Sequence, residues 1–489
     1  MRVRKKQLFG TRGIRGPIAA KVTPELMLEL GRALASYVDG GKIVVGRDAR
    51  TSGEMLQHAF VAGALAGGCN VIDIGMAPSP CVAFTVRELG AKAGAIVTAS
   101  HNPPPDNGIA LYRSDGMEFL PEEELKLEDL VLGKHVKRAS WDSMGTVQRY
   151  DAIPRYLQAI DRAVKVKRGL KVVIDCANGV GALVTPYLLR ELGCDVMALN
   201  SHLDGHFPGH PAEPQSWNLG DLMRTVREVG ADVGLAHDGD ADRVAVVDER
   251  GNFVKHDALI ALFAKRVVEA RGEGAVVTSV NTSIAIEEVV AKAGGQTFMT
   301  ALGNYSVAIL EHDACFAGEP GKLIFPEFGP WADGALAAAK LLEVMSLERK
   351  PLSKIFAAEV PDYPMHFEDF ACPEERKVGF MQGIRKHLPQ NVSEVRDVLN
   401  IDGIRVNRKD GSWVLVRVSG TEPKARLVVE GRTQEELEQF KKIGLQAVHK
   451  FLKKEFHLFR NGGRETVDAC GFRPAGNAVS CRRSLIGGS

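Results

Sequence analysis

Net charge is nearly absent from this 489-residue chain: 62 Lys and Arg against 61 Asp and Glu leave +1 at pH 7. That balance argues against nucleic acid or another polyanion as partner, so an anionic small ligand has to be held by local groups. No run of 18 apolar residues occurs, and no membrane span or membrane partner is expected. The basic start "MRVRKKQLFG" lacks the apolar region of a signal peptide, which makes a cytoplasmic location the expectation. The eight cysteines include no C-x-x-C pair, which suggests buried thiols in a reducing compartment, not a disulfide framework or a zinc site. What remains is an ordinary globular composition, 45% hydrophobic and 25% charged, on a chain long enough for about three or four domains.

One pattern recurs. "KIVVGRDAR" (42–50), "LKVVIDCANG" (170–179) and "GAVVTSVNTS" (274–283) each run apolar residues into a small polar turn and then a helix-like segment. They read as the opening strands of three similar α/β domains. Thr23 followed by Pro24 predicts a capped helix with Leu26, Leu30 and Ala33 on one face. "TPYLLRELG" (185–193) predicts another, with Thr185 as cap and Gly193 as stop. "GCNVIDIG" (68–75) and "GCDVMALN" (193–200) read as the strands that follow. Beyond about residue 365 the texture changes: 403–433 holds two strand-like runs before the helix-like "QEELEQFKKIGLQAVHKFLKK", which suits a smaller α+β domain with an antiparallel sheet. The expected boundaries are 1–150, 151–252, 253–365 and 366–455. The aperiodic remainder, 456–489, is expected to be a disordered tail.

Four loops carry chemistry. "TASHNPPPDNG" (98–108) follows the apolar run "GAIVT", so Ser100 and His101 sit where a buried strand gives way to a loop stiffened by three prolines. A polar turn is the plain alternative. In "GLAHDGDADRVAVVD" (234–248), Asp238, Asp240 and Asp242 lie between two strand-like runs, and three carboxylates this close repel unless a cation gathers them. Hard oxygen ligands favour Mg²⁺ or Ca²⁺. A calcium EF-hand is disfavoured because Arg243 stands where its loop requires glycine; a solvated acidic turn remains the plain alternative. "RVSGTEPKAR" (417–426) sets Arg417 and Arg426 beside Ser419, Gly420 and Thr421, a phosphate grip built from guanidinium forks, hydroxyls and close backbone; a polar hairpin turn is its alternative. "AGEPGKLIFPEFGPWADG" (317–334) puts Glu319 in a tight turn where a carboxylate can accept from sugar hydroxyls, or simply lie at the surface. Near the start, "FGTRGIRG" (9–16) sets Arg12 and Arg15 among glycines, again suited to an anion.

These motifs, "TASHNPPPDNGI", "DGDADR", "GEP" and "RVSGTEPKAR", stand in the order of the four active-site loops of the α-D-phosphohexomutase superfamily, and "FGTRGIRG" and "VGRDARTSG" resemble its N-terminal region. The resemblance covers roughly residues 7–455. It implies four domains around a central cleft, three related mixed-sheet α/β domains and a small C-terminal α+β domain. It further implies an intramolecular phosphotransferase in which Ser100 carries a phosphoryl group and Mg²⁺ is held by Ser100, Asp238, Asp240 and Asp242. A sugar bisphosphate would be the intermediate and activator. Arg15 and His101 would support the transfer and handle protons, and Arg12, Arg243, Thr300, Gly303, Glu319 and Lys322 would meet the substrate. Arg417, Ser419, Gly420, Thr421 and Arg426 would hold the distal phosphate. The partner implied is a small phosphosugar, and the assembly a monomer or small homo-oligomer.

Three departures bear on the sugar. Ala110 stands where members commonly have a lysine after the serine loop, Ala301 stands at a second common lysine, and the sugar loop continues Gly318-Glu319-Pro320-Gly321-Lys322-Leu323. The "GTEP" and "FGT" forms resemble the phosphoglucosamine-mutase and archaeal phosphomannomutase-like branches, which puts a hexosamine phosphate first, mannose or glucose phosphate next, and a pentose phosphate as a further reading. A Mg²⁺-dependent phosphatase would not require the distal phosphate loop, and a non-catalytic phosphosugar binder would require neither Ser100 nor the aspartates.

Overall fold

The structure, a computed structural model, describes residues 6–10, 12–133, 136–167, 169–420 and 422–453. Thr421 and the expected tail 456–489 lie outside the described residues. Three sheets share one plan. The first has six strands in the spatial order Ile14–Pro17, Asp106–Arg113, Ala93–Val97, Gly41–Arg47, Cys69–Met76, Val147–Arg149. Its last four run parallel, and Asp106–Arg113 turns back antiparallel on Ala93–Val97. The second runs Ala245–Val247, Val233–Ala236, Lys171–Asp175, Asp195–Leu199. The third runs Gln296–Thr300, Ala275–Ser279, Phe316–Glu319, Lys322–Ile324. The second and third are parallel except for one hairpin at an edge, and in the first the hairpin is flanked by Ile14–Pro17, antiparallel to Asp106–Arg113.

Those three hairpins carry three of the four chemical loops. Ala93–Val97, Val233–Ala236 and Phe316–Glu319 are buried along their whole length, as expected of apolar runs covered on both faces. Each ends in the connection that holds Ser100, the aspartates, or the Glu319 turn. The chemistry therefore gathers at the carboxyl ends of parallel strands, where loops project beyond the helices that cover the sheet. The runs 170–179 and 274–283 open their sheets as expected, in Lys171–Asp175 and Ala275–Ser279, whereas Gly41–Arg47, from 42–50, is preceded in its sheet by the edge strand Ile14–Pro17.

The fourth sheet is antiparallel throughout: Met365–Ala371, Lys424–Glu430, Trp413–Val418, Ile404–Arg408, Val395–Leu399. The stretch 403–433 holds three strands, not the two expected, because the polar turn at 409–412 interrupts what reads as one run. Two helices, Glu374–His387 and Gln434–Lys453, complete this domain.

Helix starts follow local chemistry where they can. Thr23 Oγ1 accepts from Leu26 N at 3.2 Å, and Pro24 opens the helix Pro24–Tyr37. Thr185 departs from expectation. It is the first residue of Thr185–Glu191, preceded by Val184, and its hydroxyl bonds the His237 ring at 2.8 Å instead of capping. A buried imidazole that needs a partner outcompetes the helix end for the same hydroxyl.

Burial divides the molecule unevenly. One continuous apolar core runs from Val44 and Ile96 through Ile174 and Leu235 to Phe316 and Leu342, so the first three domains pack as one body. The fourth domain has its own core, around Phe380, Val414, Leu427 and Phe440. It meets the third through a small apolar patch of Val280, Ile284, Trp413, Leu415 and Val428. The six cysteines among the described residues are buried and free. No helix among them is long and apolar enough to cross a membrane.

Candidate active site

Ser100 is fully buried at the end of its strand, with a left-handed backbone (φ 54°). A non-glycine residue stays there only when its surroundings over-determine it. Here they do. Arg50, itself buried, donates to four carbonyls of the serine loop: Ser100 O at 2.8 Å, Asn102 O at 2.6 Å, Pro103 O at 2.8 Å and Asp106 O at 2.9 Å. Asp48 orients that guanidinium through Nε at 3.2 Å and also accepts from Thr98 Oγ1 at 2.6 Å, while Thr98 Oγ1 accepts from Ser100 N at 2.8 Å. The three prolines are exposed, so the stiffness of the loop comes from Arg50 beneath it as well as from their fixed φ. Arg50 lies within the motif "VGRDARTSG", but nothing in its spacing announces a grip on residues fifty positions away.

The Ser100 hydroxyl donates to Asp238 Oδ2 at 2.8 Å and lies 3.2 Å from His101 Nδ1. Arg243, burial, Arg15, Arg12 and Arg50 in turn hold the His101 imidazole well below its ordinary value, so it stays neutral. The approach of the two loops is close. A side chain on Gly239 would place its Cβ 2.7 Å from Ser100 O, so glycine is required there.

Asp238, Asp240 and Asp242 each present an oxygen within 4.8 Å of the others, all three side chains being buried. Burial first, then mutual repulsion, raises Asp238 well above the usual carboxylate range and Asp242 to about 6. The donors fit a hard divalent cation: Asp240 Oδ1 and Asp242 Oδ1 are buried without a hydrogen-bond partner, a costly state that a metal relieves.

Cations ring the acids. Arg12 reaches Asp242 at 3.3 Å, Tyr305 Oη at 2.8 Å and Glu118 Oε2 at 2.9 Å, tying the first domain to the second and third. The charge of Arg15 is drawn to Asp240 and Asp242 and opposed by Arg12 and Arg243, with burial the largest influence, and its pKa is lowered. The Arg243 guanidinium lies 3.8 Å from both Asp238 Oδ2 and Glu213 Oε1. In the third domain, Glu319 Oε2 accepts from Gly303 N at 2.7 Å, which fixes the 300–304 turn that begins at Thr300. Gly321 (φ 84°) turns the two-residue hairpin, so Glu319 and Lys322 are register partners. The Lys322 ammonium, expected at the sugar, is buried and bonded to Asp242 Oδ2 at 2.6 Å.

The phosphate loop is the most open element. Arg417 and Arg426 are register partners on adjacent strands. Arg417 pairs with Asp402 at 2.8 Å, and Arg426 is bidentate on Asp369 at 2.6 and 3.0 Å. Lys377 donates to Ser419 O at 2.6 Å and Glu422 O at 2.8 Å, drawing carbonyls to one side of the loop. Gly420 is exposed. Arg426 is raised chiefly by Asp369, against burial, with Glu422 and then Glu213, the carboxylate that meets Arg243, adding smaller attractions. Besides Arg50, sequence reasoning missed Ser79, Glu213 and Lys377, each an isolated polar residue whose partner lies in another part of the chain.

The chain matches family models along nearly its whole described length: phosphoglucomutase/phosphomannomutase domain I at residues 6–136, domain II at 154–251, domain III at 255–363 and the C-terminal domain at 370–443. It is 43% identical over 449 residues to a phosphopentomutase of Thermococcus kodakarensis, covering 92% of this chain and 99% of that protein. It is 43% identical over 439 residues to a probable phosphoglucosamine mutase of Methanothermobacter thermautotrophicus, covering 89% and 96%. Its structure resembles that of a phosphoglucomutase/phosphomannomutase family protein from Burkholderia thailandensis, with a TM-score of 0.83, 27% identity, and 91% and 98% of the two chains covered. The chain belongs to the phosphoglucomutase/phosphomannomutase family. It is a phosphosugar mutase, an isomerase, and the Asp238, Asp240, Asp242 cluster is the acidic triad for the Mg²⁺ on which the family depends.

Proposed function

We propose that the chain moves a phosphoryl group between the C1 and C6 positions of a hexosamine phosphate through a phosphoserine at Ser100 and a sugar bisphosphate. The observation that carries this reading is the Ser100 hydroxyl, held in a left-handed backbone 2.8 Å from Asp238 within the acidic triad. The bond from Ser100 Oγ to phosphorus breaks as a sugar hydroxyl oxygen forms its own, and His101, whose Nδ1 is 3.2 Å from the serine oxygen, passes the hydroxyl proton to Ser100 Oγ as it leaves. Mg²⁺, when bound by Asp238, Asp240, Asp242 and the serine side, supplies neutralising charge for the phosphoryl oxygens. Arg15 and Arg243 add fixed positive charge beside the reacting group. Arg12 and Glu319, with the Thr300–Gly303 turn, orient the sugar from above. Arg417, Ser419, Gly420, Thr421 and Arg426 hold the phosphate that is not reacting, the two arginines exchanging Asp402 and Asp369 for it. After the bisphosphate turns over in the cleft, the second phosphate returns to Ser100.

A pentose phosphate is the second reading. It is favoured by the phosphopentomutase relative and by the commitment of Lys322 to Asp242, which leaves Glu319 as the charged reader of that hairpin. Intact-mass measurement and coupled assays test both. The purified chain is expected to be heavier by one phosphate, with the added mass lost in Ser100→Ala. Glucosamine phosphate is expected to turn over faster than mannose, glucose or ribose phosphates. An unmodified serine that still releases inorganic phosphate would make the protein a phosphatase, and a faster rate on ribose phosphate would select the pentose reading.

A further inference from the structure

Two carboxylates of the triad, Asp240 and Asp242, are asymmetric, whereas both oxygens of Asp238 have partners, Ser100 Oγ and Arg243 N. Asp240 Oδ2 accepts from Ser79 Oγ at 2.6 Å, and Ser79 N also donates to Asp240 O at 3.0 Å. Asp242 Oδ2 accepts from Lys322 Nζ at 2.6 Å, with Arg12 a further 3.3 Å neighbour of the same oxygen. The other oxygen of each, Asp240 Oδ1 and Asp242 Oδ1, is buried and unpartnered. One oxygen is capped and one is left bare, twice. The caps arrive from different domains, Ser79 from the first residue of helix Ser79–Glu88 and Lys322 from the sugar-loop hairpin.

We infer that Ser79 and Lys322 are positioning residues that hold Asp240 and Asp242 to ligation through a single oxygen, and that this selects Mg²⁺ over Ca²⁺. The inference rests on the metal reading of the triad given above. Its physical basis is the difference between the two ions. Mg²⁺ takes about six ligands near 2.1 Å in a strict octahedron, filled readily by single carboxylate oxygens, a phosphate oxygen and water. Ca²⁺ takes about six to eight ligands near 2.4 Å and gains from carboxylates that bind through both oxygens. A carboxylate with one oxygen committed to an ammonium or a hydroxyl cannot turn both toward the ion. Lys322 is suited to the task because its side chain is only 2% exposed, so its charge is not screened by water and Asp242 is its hydrogen-bond partner. The residue that sequence comparison placed at the sugar thus acts on the metal ligand.

The test is calorimetric titration of Mg²⁺ and of Ca²⁺ into the metal-stripped full chain, as wild type, Ser79→Ala, Lys322→Met and Lys322→Arg. Removing either cap is expected to lower the Mg²⁺-to-Ca²⁺ affinity ratio about tenfold, the worth of one hydrogen bond to a charged group. Loss of the lysine charge strengthens both ions together, so the ratio isolates the geometric effect; Ser79→Ala changes no charge at all. Lys322→Arg keeps a donor on Asp242 and is expected to keep the ratio. A ratio within about twofold of wild type in Ser79→Ala and Lys322→Met would overturn the inference and leave the caps as structural contacts only. Should Lys322→Met fail to fold by circular dichroism, Ser79→Ala decides alone. A wild type that binds neither ion would overturn the metal reading itself, a result distinct from an unchanged ratio.

Discussion

The serine loop and the phosphate loop have related roles in the proposed function, and the fold builds them differently. Both are hairpin connections, and both have carbonyls gathered by a buried cation, Arg50 under the first and Lys377 under the second. The serine loop, however, is part of a three-domain body with one continuous core, and every charged group near Ser100 is buried or nearly so. The phosphate loop stands on a separate core, attached to the body through five fully buried apolar side chains and a polar joint. In that joint Arg405 donates to Val280 O at 2.7 Å and Thr282 O at 2.9 Å, and Glu430 accepts from Ile284 N at 2.9 Å. The difference follows from the two tasks. A reacting oxygen must be held in line, where a small displacement costs about a hundredfold in rate. A distal phosphate has only to be gripped, and its grip must accept two ends of a substrate that turns over.

The sharpest break of this comparison is at Ser100. Ser100→Ala is expected to lower kcat on the order of 10⁴-fold, because it removes the oxygen proposed to carry the phosphoryl group. Its melting temperature should move little, and a coupled assay beside a thermal melt checks both. Arg50→Met comes next. It leaves Asp48 buried without its cation and four carbonyls without their guanidinium donor, so a loss of about 3 kcal/mol or more in stability is expected from denaturant unfolding. The same variant should lose about a hundredfold in kcat. If stability fell without kcat, Arg50 would be a packing residue only.

On the side of the fourth domain, Arg405→Met is expected to loosen the joint. Calorimetry should show the fourth domain of this variant melting in a separate transition below that of the rest of the chain, at a lower temperature than in the wild type. Arg426→Ala should be milder still: KM rises about tenfold while the melting temperature is unchanged, as fits an exposed ion pair that contributes little to stability. An equal fall in kcat would place Arg426 at the reaction instead of at the distal end.

The smallest effect is a pH signature of the body. His210 lies 3.2 Å from Asp175, beneath the second sheet's loops. Burial opposes charge on both, yet their mutual attraction across this close contact wins: His210 is raised above the ordinary 6.5 and Asp175 is lowered below 3.8. The histidine's contribution is therefore complete below pH 6.5 and fades as pH rises through its raised value. The aspartate's is complete above 3.8 and fades as pH falls through its lowered value. His210→Gln should melt below wild type at pH 5.5, with the gap closing by about pH 9.

Much of this molecule is legible from sequence because its functional loops are local. Ser100 and His101 are adjacent, the three aspartates alternate within five residues, and Arg417 and Arg426 flank one hairpin. Each group falls where an apolar strand meets a polar turn, which is a pattern of period and composition. The buried strands before the loops were legible for the same reason. Thr185 was misread because its hydroxyl has two uses, and the choice depended on a histidine fifty-two residues away. Lys322 was visible as a new cation but not as a partner of Asp242, since nothing in the hairpin "EPGKL" states which way it faces.

By itself, the order of residues determined which groups exist and which are neighbours along the chain: a hydroxyl after a buried strand, three acids alternating within five residues, two arginines across a turn. Tertiary structure alone decided which oxygen of Asp240 and of Asp242 is covered, which cation braces which loop, and that the serine, aspartate and Glu319 hairpins are joined by Asp238, Arg12 and Lys322. The reason is range. Periodicity and turn chemistry act over a few residues, whereas burial in a common low-dielectric space makes charges from distant segments choose partners, and that choice is settled only when the domains pack.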